Sequence, residues 1–171
     1  RFKNEVVERL TGGLEQLAKR RSVEVVHGEA SFVGPHEMRV ETGEGERTFR
    51  FRHAVIAAGS RPVEIPGFPH DDPRVMDSTG ALELQDAPKK LLVIGGGIIG
   101  LEMATVYASL GSKVTVVELQ DGLMPGCDRD LVRPLERRIR ERYEAIHLST
   151  RVTELKAQKN GIKATLEGED G

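Results

Sequence analysis

The chain has 171 residues, and its 25 lysine and arginine residues nearly balance 27 aspartate and glutamate residues, for a formal net charge of −2. This balance argues against a strong electrostatic attraction to nucleic acid or anionic lipid. Hydrophobic residues make up 38% and charged residues 30% of the chain, which indicates a globular protein with a core. The single cysteine, Cys127, excludes a disulfide framework and favours a reducing, cytoplasmic location. No metal site and no membrane segment are predicted from this sequence.

The first third of the chain predicts one helix followed by strands. Apolar residues recur every three or four positions over 2–20, which predicts an amphipathic helix, with the stripe Phe2, Val6, Leu10, Leu14 and Leu17. Short strands separated by turns predict an antiparallel meander over 23–26, 30–33, 38–40 and 48–51. The apolar run at 54–59 predicts a buried parallel strand.

The rest of the chain predicts a connector and then alternating strands and helices. Prolines punctuate residues 60–90, with one short helix near Thr79–Leu84 capped within 77–79. Further strands are predicted at 91–94, 114–117 and 146–148, with a helix at 98–110 between the first two. A second amphipathic helix is marked by Leu131, Leu135 and Ile139. A hairpin is predicted from strands 152–155 and 162–166 around 159–161.

A glycine motif between the first predicted parallel strand and its helix indicates dinucleotide binding. Gly95, Gly97 and Gly100 fill the fixed positions of G-x-G-x-x-G. In that motif the first glycine allows a tight turn, the second lets a pyrophosphate approach, and the third lets helix and strand pack closely. The helix N-terminus would then bind the pyrophosphate. The alternative is a glycine turn that binds no ligand.

Glu118 directly follows the second predicted parallel strand, where an acidic residue binds the adenosine ribose hydroxyls. A carboxylate here favours NAD over NADP, because a 2′-phosphate would bring like charges together. Each unit-charge pair at 4 Å costs about 1 to 4 kcal/mol between the water and near-surface limits. The residues that follow, Leu119 and Gln120, offer no arginine for such a phosphate.

The stretch from Ala54 to Glu118 resembles the pyridine-nucleotide disulfide oxidoreductases, as do segments 10–13 and 26–32. The matching pieces include residues 54–62, 77–79 and 95–102. The resemblance implies an α/β, Rossmann-like FAD/NAD(P)-binding fold with a parallel sheet and antiparallel β-meander crossovers. It also implies part of an FAD-binding domain at 1–66, a connector at 67–88, and an NAD-binding domain at 89–171 that is truncated at its C-terminal end.

Individual residues take roles by this resemblance. The NAD pyrophosphate would lie against Gly95, Gly96, Gly97, Ile98 and Ile99, and Gly100 completes the cofactor site as its packing glycine. Glu118 would bind the ribose and Val152 the adenine. Ala30 and Gly59 would contact FAD. Glu102 matches a glutamate that lies near the flavin and pairs with a lysine; its alternative is a simple helix-face carboxylate.

The resemblance also implies an activity that these residues alone would not complete. It is greatest to members in which dihydrolipoamide reduces a disulfide, the dithiol passes electrons to FAD, and hydride goes to NAD⁺. Their redox cysteines would precede this chain and their catalytic His–Glu pair would follow it, so no catalytic residue is predicted here. The implied partners are dihydrolipoamide on lipoyl domains of 2-oxoacid dehydrogenase complexes and a second subunit in a homodimer. A transhydrogenase, an NADH oxidase, a glutathione- or mercuric-reductase relative, and a non-catalytic NAD-binding module stay open as alternatives.

Overall fold

The computed structural model describes residues 2–168. The chain divides into an N-terminal unit, residues 1–59, and a C-terminal unit, residues 60–171. Arg1 and residues 169–171, which end the predicted domains, lie outside the described residues. None of the described helices is long and apolar enough to cross a membrane.

The N-terminal unit contains one helix and one small sheet. The helix α1 spans Phe2–Arg20, as predicted, and buries no residue. Strands β1 (Glu29–Gly34), β2 (Glu37–Thr42) and β3 (Gly45–Arg50) form an antiparallel sheet in the order β1-β2-β3, which confirms the last three strands of the predicted meander.

Two strands predicted in the N-terminal unit do not form. Residues 23–26 follow α1 as irregular chain, because the left-handed Ser22 (φ 53°) turns the backbone and the Val23 amide bonds back to the Ala18 carbonyl at 2.9 Å. Residues 54–59 are also irregular, and Val55 and Ile56 are 90% and 77% exposed. A parallel strand requires a neighbouring strand, and no described strand pairs with residues 54–59.

The C-terminal unit begins with the short helix α2 (Ser78–Glu83), whose N-cap Asp77 accepts a 2.8 Å hydrogen bond from the Gly80 amide. Parallel strands β4 (Lys90–Ile94), β5 (Lys113–Val117) and β6 (Ala145–His147) follow in the order β4-β5-β6. Helices α3 (Ile98–Ser109) and α4 (Arg129–Arg140) connect them, and β7 (Arg151–Gln158) and β8 (Gly161–Glu167) form the predicted hairpin. The α/β architecture is therefore confirmed.

The core of the C-terminal unit lies between its parallel sheet and its helices. From α3 it takes Leu101, Ala104 and Tyr107. From α4 it takes Val132 and Ile139, whereas Leu131 is 71% exposed and Leu135 36% exposed. The predicted stripe on α4 was wrong at those two leucines, because the side that faces the core is centred one position further along the chain.

Candidate dinucleotide-binding site

The glycine loop lies where β4 ends and α3 begins, at the carboxyl edge of the parallel sheet. Ligands bind at this edge in open α/β sheets. Gly95 has a φ of +106°, a conformation that side-chain-bearing residues rarely adopt, and its amide donates to the Val117 carbonyl at 2.8 Å. This bond ties the loop to the end of β5, so the turn and Glu118 are held at neighbouring positions.

Gly100 and Gly97, the two later glycines of the motif, differ in the space around a side chain at each position. A Cβ on Gly100 would overlap the Gly95 carbonyl oxygen and lie 3.3 Å from Val93 Cγ1, so the packing of α3 on β4 excludes a side chain. A Cβ on Gly97 would meet no protein atom within 4 Å. Gly97 also has an ordinary extended conformation, with φ −81°. Folding therefore demands glycine at 100, whereas the space at 97 is open to a ligand.

The N-terminus of α3 presents its free amides beside this open space. Gly97 is the N-cap and provides no side-chain cap, and the first turn carries no acidic residue. Uncapped amides and the helix dipole favour an anion such as a pyrophosphate. Ile98 and Ile99 in this turn are each 60% exposed, so both side chains border accessible surface.

Glu118 is buried, at 7% exposure, and its carboxylate binds the glycine loop directly. The Gly96 amide donates to Oε2 at 2.7 Å, and the Gln120 amide donates to Oε1 at 2.7 Å. An ionised carboxylate has about four acceptor positions, so these bonds leave capacity for ribose hydroxyls. A Cβ on Gly96 would lie 3.2 Å from Glu118 Cβ, which makes Gly96 part of this contact.

The start of β7 is joined to the same edge by backbone hydrogen bonds. The Thr150 amide donates to the Glu118 carbonyl at 2.9 Å, and the Ser149 amide donates to the Gln120 carbonyl at 2.8 Å. Val152, half-buried, follows two residues later in β7. The structure therefore groups the glycine loop, Glu118 and the beginning of β7 in one unit.

The remaining predicted site residues are exposed. Glu102 lies on the exposed side of α3. Ala30 on β1 and Gly59, whose φ is +72°, belong to the N-terminal unit and are both exposed. Ala30 pairs with Val40 in the sheet, and a Cβ on Gly59 would meet no described atom within 4 Å.

Sequence reasoning missed the segment after β5 as part of the site. Leu123 is fully buried, and its Cδ2 would lie 2.5 Å from a Cβ on Gly96. The Met124 amide donates to the Gly96 carbonyl at 2.9 Å. The glycines in this segment indicate a turn, but no spacing rule specifies that its leucine packs on the glycine loop.

Comparison with known proteins agrees with this geometry. The family model described as pyridine nucleotide-disulphide oxidoreductase matches residues 1–171. The chain belongs to this family. The resemblance stated from the sequence is thereby confirmed at the level of the family.

Named relatives narrow the comparison. The chain is 50% identical over 167 residues to dihydrolipoyl dehydrogenase of Vibrio cholerae, covering 98% of this chain and 35% of that protein. It is 52% identical over 168 residues to dihydrolipoyl dehydrogenase of Vibrio parahaemolyticus, with the same coverage. The HOCl-induced flavoprotein disulfide reductase RclA from Escherichia coli has a similar structure, with TM-score 0.80 and 32% identity over 96% of this chain and 38% of that chain. The chain thus spans about a third of the length of the curated relatives that it matches.

Proposed function

We propose that this chain provides the NAD site, and part of the FAD contacts, of a dihydrolipoyl dehydrogenase. The two Vibrio relatives, at 50% and 52% identity, support this activity. The observation that carries the NAD site is the contrast within the glycine loop. Space at Gly97 is left open, while the buried Glu118 is held by the Gly96 amide beside it. Such an arrangement can receive a pyrophosphate and a ribose together.

Each residue of the site has a defined task in this proposal. The amides of the glycine loop, residues 95–100, would bind the pyrophosphate, with Ile98 and Ile99 bordering it. Glu118 would accept hydrogen bonds from the ribose hydroxyls, and Val152 would lie against the adenine. Bound FAD and NAD⁺ supply the hydride chemistry of the enzyme. The residues of this chain bind and orient the dinucleotide.

The flavin side of the proposal rests on the N-terminal unit and on one residue of α3. The exposed residues Ala30 and Gly59 would contact FAD, and the exposed Glu102 would pair with a lysine near the flavin. We propose segments 1–66 and 89–171 as parts of the FAD and NAD domains, with 67–88 as connector. The exposed apolar residues of α1 and of 54–59 support this assignment, because in a larger flavin domain they would be covered.

The whole enzyme would act on dihydrolipoamide carried by lipoyl domains of 2-oxoacid dehydrogenase complexes. It would work as a homodimer in the cytoplasm. The relatives' names support the substrate, and the single free cysteine, Cys127, is in keeping with a reducing compartment.

The preference for NAD is tested through Glu118 in the full-length enzyme. We expect NAD⁺ to bind more tightly than NADP⁺ in calorimetric titrations of the oxidised protein, and NADH to have a lower KM than NADPH. Glu118→Ala should narrow the preference by about tenfold or more, because the repulsion of a 2′-phosphate is removed. Equal affinities in the unsubstituted protein would contradict the ribose assignment.

Gly97→Ala tests the pyrophosphate site without disturbing the fold. The added methyl group meets no protein atom within 4 Å, so the melting temperature should stay unchanged. Affinity for NAD⁺ should fall by at least tenfold, since the methyl group would occupy the space of the pyrophosphate. If the Gly97→Ala protein bound NAD⁺ as tightly as the unsubstituted protein, the open space at Gly97 would not be the pyrophosphate site.

A further inference from the structure

One arginine contacts several carbonyls of the segment 123–127, which packs on the glycine loop. Arg129, the first residue of α4, donates from Nη2 to the carbonyls of Leu123 at 2.6 Å, Met124 at 3.0 Å and Cys127 at 3.3 Å. Its Nε also approaches the Cys127 carbonyl at 3.4 Å. One guanidinium therefore contacts three carbonyls of a tight turn, which share the two N–H groups of Nη2 and the one N–H group of Nε.

The arginine lies against a sharp turn of the backbone. Met124 has a φ of +52°, and Gly126 has a φ of +85°, so the backbone reverses within a few residues. The Leu123 and Cys127 carbonyls face the arginine, while the Cys127 amide donates to the Met124 carbonyl at 3.1 Å. A Cβ on Gly122 would lie 2.6 Å from Arg129 Nη1, which shows how closely the side chain follows the segment.

The segment in turn holds Gly96 from one side while Glu118 holds it from the other. The buried Leu123 packs on Gly96, and the Met124 amide donates to the Gly96 carbonyl at 2.9 Å. The Gly96 amide donates to Glu118 Oε2 at 2.7 Å. A continuous set of contacts therefore runs from the Arg129 guanidinium to the carboxylate proposed to bind ribose.

From these contacts we infer that Arg129 is a positioning residue of the dinucleotide site. It fixes the Leu123–Met124 backbone, which sets Gly96 and through it the orientation of Glu118. Arg129 would act only through this segment and would not contact the dinucleotide. The inference rests on the function proposed above. Preorganised groups bind with less loss of conformational entropy, so a loosened segment would weaken nucleotide binding and blur the discrimination made by Glu118.

The test uses three substitutions in the full-length protein. Arg129→Met removes the donors but keeps an extended side chain, and Arg129→Lys restores a cation with three donors. Arg133→Met, one turn further along α4, is the matched control, because the Arg133 side chain makes no hydrogen bond to any residue within 2–168. The readouts are the Kd of NAD⁺ and of NADP⁺ by calorimetry, KM and kcat with NADH, and the melting temperature.

Arg129→Met should raise the Kd of NAD⁺ and the KM for NADH about five- to tenfold, with kcat within about twofold of the original. The ratio of the NADP⁺ Kd to the NAD⁺ Kd should also become smaller in Arg129→Met. Arg129→Lys should recover part of the lost affinity and part of the lost discrimination. Arg133→Met should behave as the unsubstituted protein. In the Glu118→Ala background, Arg129→Met should change the ratio little, because the two residues act through one path.

Two outcomes separate the inference from the proposed function. If the unsubstituted protein prefers NAD⁺ and Arg129→Met lowers only the melting temperature or the amount of folded protein, Arg129 is purely structural and the inference is overturned. If the unsubstituted protein binds neither nucleotide, or both equally, the proposed ribose role of Glu118 fails, and the positioning role fails with it.

Discussion

The two units of the chain differ in where their apolar side chains lie. In the C-terminal unit they converge on a core in which Ala104, Val114 and Leu123 are fully buried. Among the described residues of the N-terminal unit, Val40 is the one buried apolar residue, and α1 leaves Phe2 79% and Leu14 67% exposed. Amphipathic patterning therefore indicates an element but not its partner. A parallel sheet with its own helices completes a core, whereas α1 presents a stripe with nothing described against it.

The largest expected effect is on core packing. Leu101→Ala, at a residue 4% exposed, should lower the free energy of unfolding of the C-terminal unit by about 2 to 5 kcal/mol. The two tyrosines of the chain, Tyr107 and Tyr143, both belong to this unit, so tyrosine fluorescence during urea unfolding measures it selectively.

Leu10→Ala is the matched substitution in the N-terminal unit, at a residue 65% exposed. In the 171-residue chain it should change stability by at most about 0.5 kcal/mol, measured by hydrogen exchange of the α1 amides. In the full-length protein it should cost about 2 kcal/mol or more if the stripe is covered there. If Leu10→Ala lowered stability equally little in the 171-residue chain and in the full-length protein, the apolar stripe of α1 would not be covered in the full-length protein.

Glycine substitutions give an intermediate effect of opposite sign in the two units. Gly100→Ala should destabilise the C-terminal unit by about 1 to 3 kcal/mol, because the methyl group overlaps the Gly95 carbonyl oxygen. Gly12→Ala should stabilise α1 by about 1 kcal/mol, since the position is helical and open. Thermal unfolding followed by tyrosine fluorescence checks the first, and hydrogen exchange of α1 checks the second. A loss of helix protection in Gly12→Ala would show that something packs on this glycine.

The smallest expected effect is acid sensitivity at the connector. Arg74 bonds both carboxylate oxygens of Asp72, at 2.9 and 2.6 Å, and also the Gln158 carbonyl at 2.8 Å. These hydrogen bonds lower the pKa of Asp72 from 3.8 to about 2. The stabilisation is therefore complete above pH 3.8 and is lost as the pH falls toward 2.

Asp72→Asn should lack this part of the pH dependence, measured as the urea midpoint between pH 5 and about 2. Asp71→Asn is the control, because it removes an equal charge from the neighbouring residue, whose side chain makes no hydrogen bond to the described residues. The Asp71→Asn protein should keep the pH dependence of the unsubstituted chain. If the urea midpoint fell with pH equally steeply in Asp72→Asn and in the unsubstituted chain, the acid sensitivity would belong to another group.

Most elements followed from periodicity and turn chemistry, and the exceptions have physical causes. The last three strands of the meander, the parallel sheet and the hairpin formed because each strand finds a partner close in sequence or through one helix. Residues 54–59 have the composition of a buried strand, but composition carries no information on where a pairing edge lies. The stripe on α4 was misplaced because Leu131 and Val132 are equally apolar, and only tertiary packing chose between them.

The candidate site shows the same division. The glycine motif and Glu118 were predictable because a fixed spacing links them to known backbone requirements. Leu123 and Arg129 were not, since their contacts with Gly96 and with the turn depend on how a loop folds back. The assignments to NAD, to adenine at Val152 and to FAD at Ala30 and Gly59 stay predictions.

The open space at Gly97 has a consequence for how the sequence can vary. At position 100 any selection for folding also protects the site, because a side chain there breaks both. At position 97 the fold tolerates a methyl group, so a library of variants sorted only for stability would retain alanine there. If the glycine loop binds the pyrophosphate as proposed, sorting the same library for nucleotide capture should remove it. The two screens, compared position by position, would separate the residues that build this loop from those kept for its ligand.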